Sequence, residues 1–229
     1  MWMLALETST ELGSCALWRD GEITERYCPS GRSHSETLLP LVRELLADAG
    51  IAIGQLAAIA FGVGPGAFTG LRVACGAAQG LAVAADLPLV PVSSLETMAF
   101  ASGGNKVFSL LDARMGEVYA AQYLNADQVP TLHGEIRVAS PDQLVLPTDN
   151  GWLACGNALL AYPALAEQLQ AAGLSLQPQI LPTAGVLARL ASLHLAAGGG
   201  IDAADAGPLY VRDKVAKTVA ERLSEGGKA

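Results

Sequence analysis

Two loops carry most of the residues able to do chemistry. One is Gly62-Val-Gly-Pro-Gly-Ala-Phe-Thr-Gly-Leu-Arg72, where glycines crowd the backbone amides ahead of a small-residue helix. Glycine permits positive φ and close backbone approach. A helix start offers free N–H groups and the positive end of the dipole, so this loop suits an anion such as a phosphate, or it simply lets helix and sheet pack closely. The other is Thr8-Ser9-Thr10, three hydroxyls directly after the acid Glu7. Asp112-Ala-Arg-Met-Gly116 restates the theme further on, an acid followed by a tight turn. Glu7 and Asp112 are candidates for acid–base or magnesium-binding work, although acids at strand ends also cap turns.

Other chemistries find less support. A P-loop needs Gly-Lys-Ser/Thr at the helix start, and the glycine loop has no lysine. Gly62, Gly64 and Ala67 meet the Rossmann spacing formally, but the ribose-binding acid should end the next strand, whereas Asp86 precedes it. His34, His133 and His194 form no His-x-x-x-His pair, and Cys15, Cys28, Cys75 and Cys155 form no Cys-x-x-Cys. A Gly-x-Ser-x-Gly elbow is also missing. His34 stands at a helix start, where the dipole disfavours a proton. A ligand or base role is open to it, and so is a polar place at a helix edge or interface. Arg72 and Arg114 follow turns, and each could meet a phosphate or a partner's carboxylate.

These loops need elements to hold them. Met3 to Thr8 reads as an apolar strand, Ser14 to Trp18 as a second, and Arg19-Asp20-Gly21 as the turn into a third, Glu22 to Tyr27. Ser33-His-Ser-Glu36 fits a capping box opening a helix that Gly50 ends. Its leucines and Val42 spread over an arc of about 160°, against the roughly 100° that one sheet contact needs. Deep burial or a second apolar contact would explain the surplus. Pro40 predicts a bend. Leu56 to Val63 is apolar throughout and predicts a strand covered on both faces. A helix runs from Thr69 to Ala85, and its Gly76-Ala-Ala-Gln-Gly80 lets another backbone approach. Asp86 to Val92 predicts a fifth strand, and Ser93 starts a helix ending near Ala101. Ser102-Gly-Gly-Asn105 then marks a boundary. Beyond it the pattern restarts: strand Val107 to Asp112, tight turn, strand Glu117 to Leu124, strand Trp152 to Asn157, and helices near 161–172 and 184–197. Strands alternating with helices, and a meander heading each half, predict an α/β fold with mixed sheets, divided into residues 1–102 and 103–229.

Composition narrows the function classes. A formal charge of −8 with no basic stripe argues against a free-standing nucleic-acid binder. Arg212, Lys214, Lys217, Arg222 and Lys228 read as the solvated end of the chain. Trp2, Trp18 and Trp152 read as core strand residues, not a base-stacking platform. No apolar stretch approaches the roughly 20 residues of a membrane helix, and the first residues read as strand, not signal peptide. The expectation is a cytoplasmic protein.

Four motifs now stand in order: Leu4-Ala-Leu-Glu-Thr-Ser-Thr10, Gly64-Pro-Gly-Ala-Phe-Thr-Gly-Leu-Arg72, Asp112-Ala-Arg-Met-Gly-Glu-Val-Tyr119 and Pro208-Leu-Tyr-Val-Arg212. Together, over nearly the whole chain, they resemble the TsaB family, also called YeaZ. The resemblance implies the actin-like ATPase (ASKHA) fold, with two α/β domains, the second reduced and the final segment free to pack back on the first. Each domain of that fold begins with a β-hairpin whose loop faces phosphates. Thr8, Ser9, Thr10, Gly64, Gly66 and Thr69 are therefore the nucleotide-loop candidates.

The resemblance also implies a non-catalytic subunit in the bacterial synthesis of threonylcarbamoyladenosine, beside the anticodon of tRNAs that read codons starting with A. Catalysis would belong to the related, metal-bearing TsaD, with TsaE as an ATPase. ATP and metal would sit on those partners, this chain would hold no cofactor of its own, and tRNA would be met only through the complex. TsaD, or a second copy of this chain in a homodimer, would dock on the first two helices. The residues implied are His34, Leu38, Leu41, Leu45, Arg72, Cys75, Gly76, Gln79 and Gly80. Glu7 stands where the family usually has Asp, crowding the first loop, and Ala67 where it usually has Ser, which weakens unaided nucleotide binding. The competing reading is a stand-alone enzyme, either an ATP-dependent kinase of the same fold or a peptidase.

Overall fold

The computed structural model describes residues 1–126 and 129–212. The basic positions from Lys214 onward lie outside them. Strand β1 (Trp2–Glu7) pairs antiparallel with β2 (Ser14–Arg19), which pairs with β3 (Glu22–Tyr27). Helix α1 (His34–Asp48) leads to β4 (Leu56–Gly64), parallel to β1. Helix α2 (Phe68–Ala85) leads to β5 (Leu89–Ser93), parallel to β4. The sheet order is β3-β2-β1-β4-β5.

Helix α3 (Ser94–Ser102) then delivers β6 (Lys106–Arg114), which pairs antiparallel with β7 (Glu117–Ala126), and β7 with β8 (Val129–Ala139). Strand β9 (Trp152–Cys155) lies parallel to β6, and after α4 (Ala158–Ala161) and α5 (Pro163–Ala171), β10 (Ser175–Gln177) lies parallel to β9. The second sheet, β8-β7-β6-β9-β10, repeats the order of the first. The echo in the sequence is thus a repeated topology. The second copy is reduced, since a short 3-10 turn at Pro141–Gln143 stands where the first half has α1.

Strand β1 is buried on both faces because alternate residues serve different layers. Leu4 and Leu6 join Cys15, Leu17, Ile59 and Phe61 beneath α1 and α2. Met3 and Ala5 meet Leu187, Ala188 and Leu190 of helix α6 (Ala184–Ala196). Each buried leucine contributes about 2 kcal/mol of transfer energy. The second half therefore sends a helix back to cover the first sheet. Thr183 and Ser14 hydroxyls and the Glu25 carboxylate accept its first amides, from Val186, Ala184 and Gly185.

Several sequence expectations change here. Ser33 caps nothing with its side chain; its Oγ meets Ser35 Oγ at 2.6 Å instead. Strand β5 begins only at Leu89, because Asp86 takes a left-handed φ of 54° to end α2. Trp152 is core, while Trp2 and Trp18 are half-buried, with Arg19 lying over the Trp2 ring at 5.0 Å. Helix α2 has a mean hydropathy of 1.2 over 18 residues, enough by length and composition for a membrane span. Here Leu71, Ala74, Ala78 and Ala82 bury one side of it against the sheet.

Candidate functional site

The predicted phosphate loops meet, and the chain uses their donors itself. Thr8 is fully buried, and its hydroxyl donates to the Gly70 carbonyl at 2.7 Å. The Ala67 amide, among the first at the start of α2, donates to the Ser9 carbonyl at 2.7 Å. The Ser9 amide donates to Glu7 Oε1 at 2.6 Å. The glycines permit this contact. A Cβ on Gly66 would stand 2.6 Å from Ser9 Cβ, and one on Gly70 would run into the Thr8 carbonyl. Thr10 and Thr69 face outward, Thr10 Oγ1 accepting from the Leu12 amide at 3.2 Å. Gly64, at φ +105°, lies under Leu71 and the Leu209 carbonyl.

Glu7 does not crowd the first loop. It turns beneath it, fully buried, with Oε2 3.5 Å from Ser94 Oγ and its carboxyl against Gly62. Burial pushes its pKa up, against the opposing hydrogen bonds from Ser9 and Ser94. Asp112 is the acid left in the cleft, and it is engaged: Oδ1 accepts from the Arg114 amide at 2.9 Å and lies 3.0 Å from the Tyr162 hydroxyl. Arg114 in turn pairs with Glu11 across the cleft and stands 3.4 Å from Asp112 Oδ2.

Between the two hairpin loops lies a cavity of about 400 Å³, lined by Ser9, Gly66, Phe68, Asp112 and Arg114 among others. The segment Pro208–Arg212 crosses it. The Leu209 amide donates to the Val63 carbonyl at 2.8 Å. Arg72 Nε donates to the Tyr210 hydroxyl at 3.1 Å, with the guanidinium 3.8 Å from the Phe68 ring centre. Phe68 and Tyr210 rings lie 5.7 Å apart. Arg212 donates to the Ala113 carbonyl at 3.2 Å and pairs with Glu117. An actin-like fold implies a nucleotide in this cleft. Much of what would meet phosphates is spent within the chain, namely the Thr8 hydroxyl, the Ser9 and Ala67 amides and Arg72 Nε, and only the Thr10 and Thr69 hydroxyls are left facing outward.

The first two helices divide the other predicted residues. Leu38, Leu45 and Cys75 sit at 5% exposure or less in the core under the sheet. Their apolar surface is consumed by the chain's own fold and is not available to a partner. Leu41 is half-buried against that core. Gln79 donates to the Ala203 and Ala206 carbonyls, both at 3.0 Å, which ties α2 to the later chain. The His34 ring packs on Gly13, where a Cβ would stand 2.7 Å from it. Arg72, Gly76 and Gly80 are outward, and a Cβ on either glycine would meet nothing within 4 Å. Val83, at 74% exposure, extends the apolar part of this surface along α2, and Leu39, at 48%, is exposed on α1.

Phe68, Glu11 and Tyr210 are site residues that sequence reasoning passed over. Phe68 and Arg72 were legible as an i, i+4 pair on one helix face. Tyr210 lies in a recognised motif, but nothing local announces a partner 138 positions away. Among the described residues, no three His, Cys, Asp or Glu side chains gather as a metal site requires.

Comparison with known proteins agrees with this geometry. A family model described as TsaD, tRNA N6-adenosine threonylcarbamoyltransferase, matches residues 29–206. The tRNA threonylcarbamoyladenosine biosynthesis protein TsaB of Escherichia coli is 37% identical, covering 94% of this chain and 96% of its own. The Haemophilus influenzae protein of the same name is 37% identical over 93% and 94%. The crystal structure of YeaZ from Pseudomonas aeruginosa superposes with a TM-score of 0.82 at 37% identity, over 91% of this chain and 99% of that one. With the repeated mixed sheets, the twin hairpin loops and these matches in hand, the chain belongs to the TsaB (YeaZ) family and has its actin-like fold.

Proposed function

We propose that this chain is a non-catalytic docking subunit in the synthesis of tRNA threonylcarbamoyladenosine. It binds and organises a metal-bearing TsaD-like paralogue, works with a TsaE-like ATPase, and meets tRNA only through that complex. Its relatives carry the pathway in their names. A cytoplasmic location and self-pairing in the absence of the paralogue go with this reading.

The observation that carries it is the outward side of α2. Gly76 and Gly80 sit mid-helix, each costing about 1 kcal/mol relative to alanine. Among the described residues nothing needs them, since both face open space. A helix backbone from another chain approaching along this stripe would need both. The engaged donors of the cleft support the same reading, as does Glu7, which is buried beneath the loop and out of reach of a substrate. Both facts leave the kinase alternative with little to work with.

The test is Gly76→Arg. The new side chain projects into solvent and gains helix propensity, so the fold is expected to survive with a thermal midpoint no lower than that of the wild type. Affinity for the TsaD-like paralogue, measured by calorimetric titration, is expected to fall at least tenfold. Unchanged affinity would remove α2 from the interface.

A further inference from the structure

The segment Leu209–Arg212 does something the docking reading leaves unused. It joins the two halves across the mouth of the cleft. One end is held by the Leu209 amide on the Val63 carbonyl and by Tyr210 on Arg72 and Phe68. The other is held by Arg212 on Ala113 and Glu117, at the second hairpin loop. The grip is superficial: Leu209 is 37% exposed and Tyr210 48%. Within it, Arg212 Nε is buried and has no partner among the described residues. A buried polar atom left unpaired weighs against this closed arrangement as the sole resting state.

Arg72 has a second attachment. It lies on the exposed side of α2, one turn from Gly76, where it is the cation on a stripe of small and apolar residues. A protein seated on that stripe with a carboxylate taking Arg72 bidentately through Nε and Nη would displace the Tyr210 hydroxyl from Nε. Two parallel N–H···O bonds to an ionised carboxylate outweigh the single bond to a neutral phenol.

We propose that Leu209–Arg212 is a releasable strap. Docking of an acidic-faced protein partner on α2 takes Arg72 from Tyr210, frees the strap and opens the cleft between the hairpin loops. This coupling rests on the docking reading above, while the latch within the chain does not.

Amide hydrogen exchange of the full-length chain separates the two. In the isolated wild-type chain the Leu209 amide is expected to be protected by Val63. Arg72→Ala and, separately, Tyr210→Phe should each speed its exchange roughly tenfold, the effect of losing one clasp interaction. The β1 amides of Leu4 to Leu6 should be unchanged, which shows that the fold is intact. Leu209 exchange unaltered in both variants would overturn the latch. The second arm adds the TsaD-like paralogue to the wild-type chain. Faster Leu209 exchange in the complex supports the coupling, and equal or slower exchange overturns it. Failure of the paralogue to bind also overturns the coupling, together with the docking reading, but leaves the variant arm to decide the latch.

Discussion

The Glu7 carboxyl fills the space that any side chain at Gly62 would need. A Cβ at position 62 would stand 2.7 Å from Glu7 Cδ and closer still to Oε2. The longer acid is thus accommodated from the neighbouring strand, by the absence of a side chain, and not by the hairpin loop. Gly62→Ala is expected to cost roughly 1–3 kcal/mol through overpacking. Adding Glu7→Ala should recover at least about 1 kcal/mol of that, a coupling readable in a denaturant double-mutant cycle. Additive losses would show that the two residues do not share this volume.

Burial raises the Glu7 pKa, so the folded chain holds that proton more tightly than the unfolded one. The contribution of Glu7 to stability is therefore greatest below the ordinary carboxylate value near 4.5 and is lost as pH rises through the folded value. Glu7→Gln keeps an acceptor for the Ser9 amide and never ionises. It is expected to raise the thermal midpoint by a few degrees at pH 7 and to flatten the decline. A lower midpoint at pH 7 would mean the carboxylate is ionised and well paired.

The glycines around α2 should divide by sign. Gly76→Ala and Gly80→Ala each gain about 1 kcal/mol of helix propensity with nothing to clash against. Gly70→Ala drives a methyl into the Thr8 carbonyl, a backbone atom that cannot step aside, and should cost about 3 kcal/mol or leave the chain unfolded. Urea midpoints of the three variants check this. Stabilisation at position 70, or destabilisation at 76 and 80, would contradict the packing described.

How much of this was legible in the sequence depended on how local the cause was. Strands β1 and β4 follow from apolar runs, β2 and β3 flank the Asp20-Gly21 turn, and all four appear within a residue or two. The Asp86 cap was missed, because a left-handed aspartate ending a helix looks like any other aspartate before a strand. The glycine loop was visible, but its purpose was not. Gly66 and Gly70 serve contact with Ser9 and Thr8, nearly 60 positions earlier, and spacing alone could not separate that from a phosphate cradle. Likewise the wide arc of α1 gave no way to tell Leu38 and Leu45, which enter the core, from Leu39, which does not.

His194 sets a second pH response. Its Nε2 lies 2.7 Å from Glu96 Oε1, joining α6 to α3, and this hydrogen bond raises the imidazole pKa against the opposing pull of burial. The stabilisation is fully present below the unfolded value near 6.5 and is lost as pH rises through the folded one. His194→Gln should reduce the slope of thermal midpoint against pH above 6.5 while leaving the acid limb unchanged. An unchanged slope would assign it elsewhere.

Thiol reactivity should follow burial. Burial pushes Cys15 and Cys155 up to about 12, and Cys75 is raised for the same reason. At pH 8 an alkylating reagent should label the partly exposed Cys28 of the native chain first. Mass spectrometry of peptides checks this, and early labelling of Cys155 would contradict its full burial on β9.

The claim on which the rest depends is that this chain supplies a surface and not reactive groups. The direct measurement is calorimetric titration of the TsaD-like paralogue with the wild-type chain and with Gly76→Arg, alongside their thermal melts. The account predicts tight wild-type binding, at least tenfold weaker binding by the variant, and a variant melt no lower than that of the wild type. Equal affinities with both chains folded would contradict it.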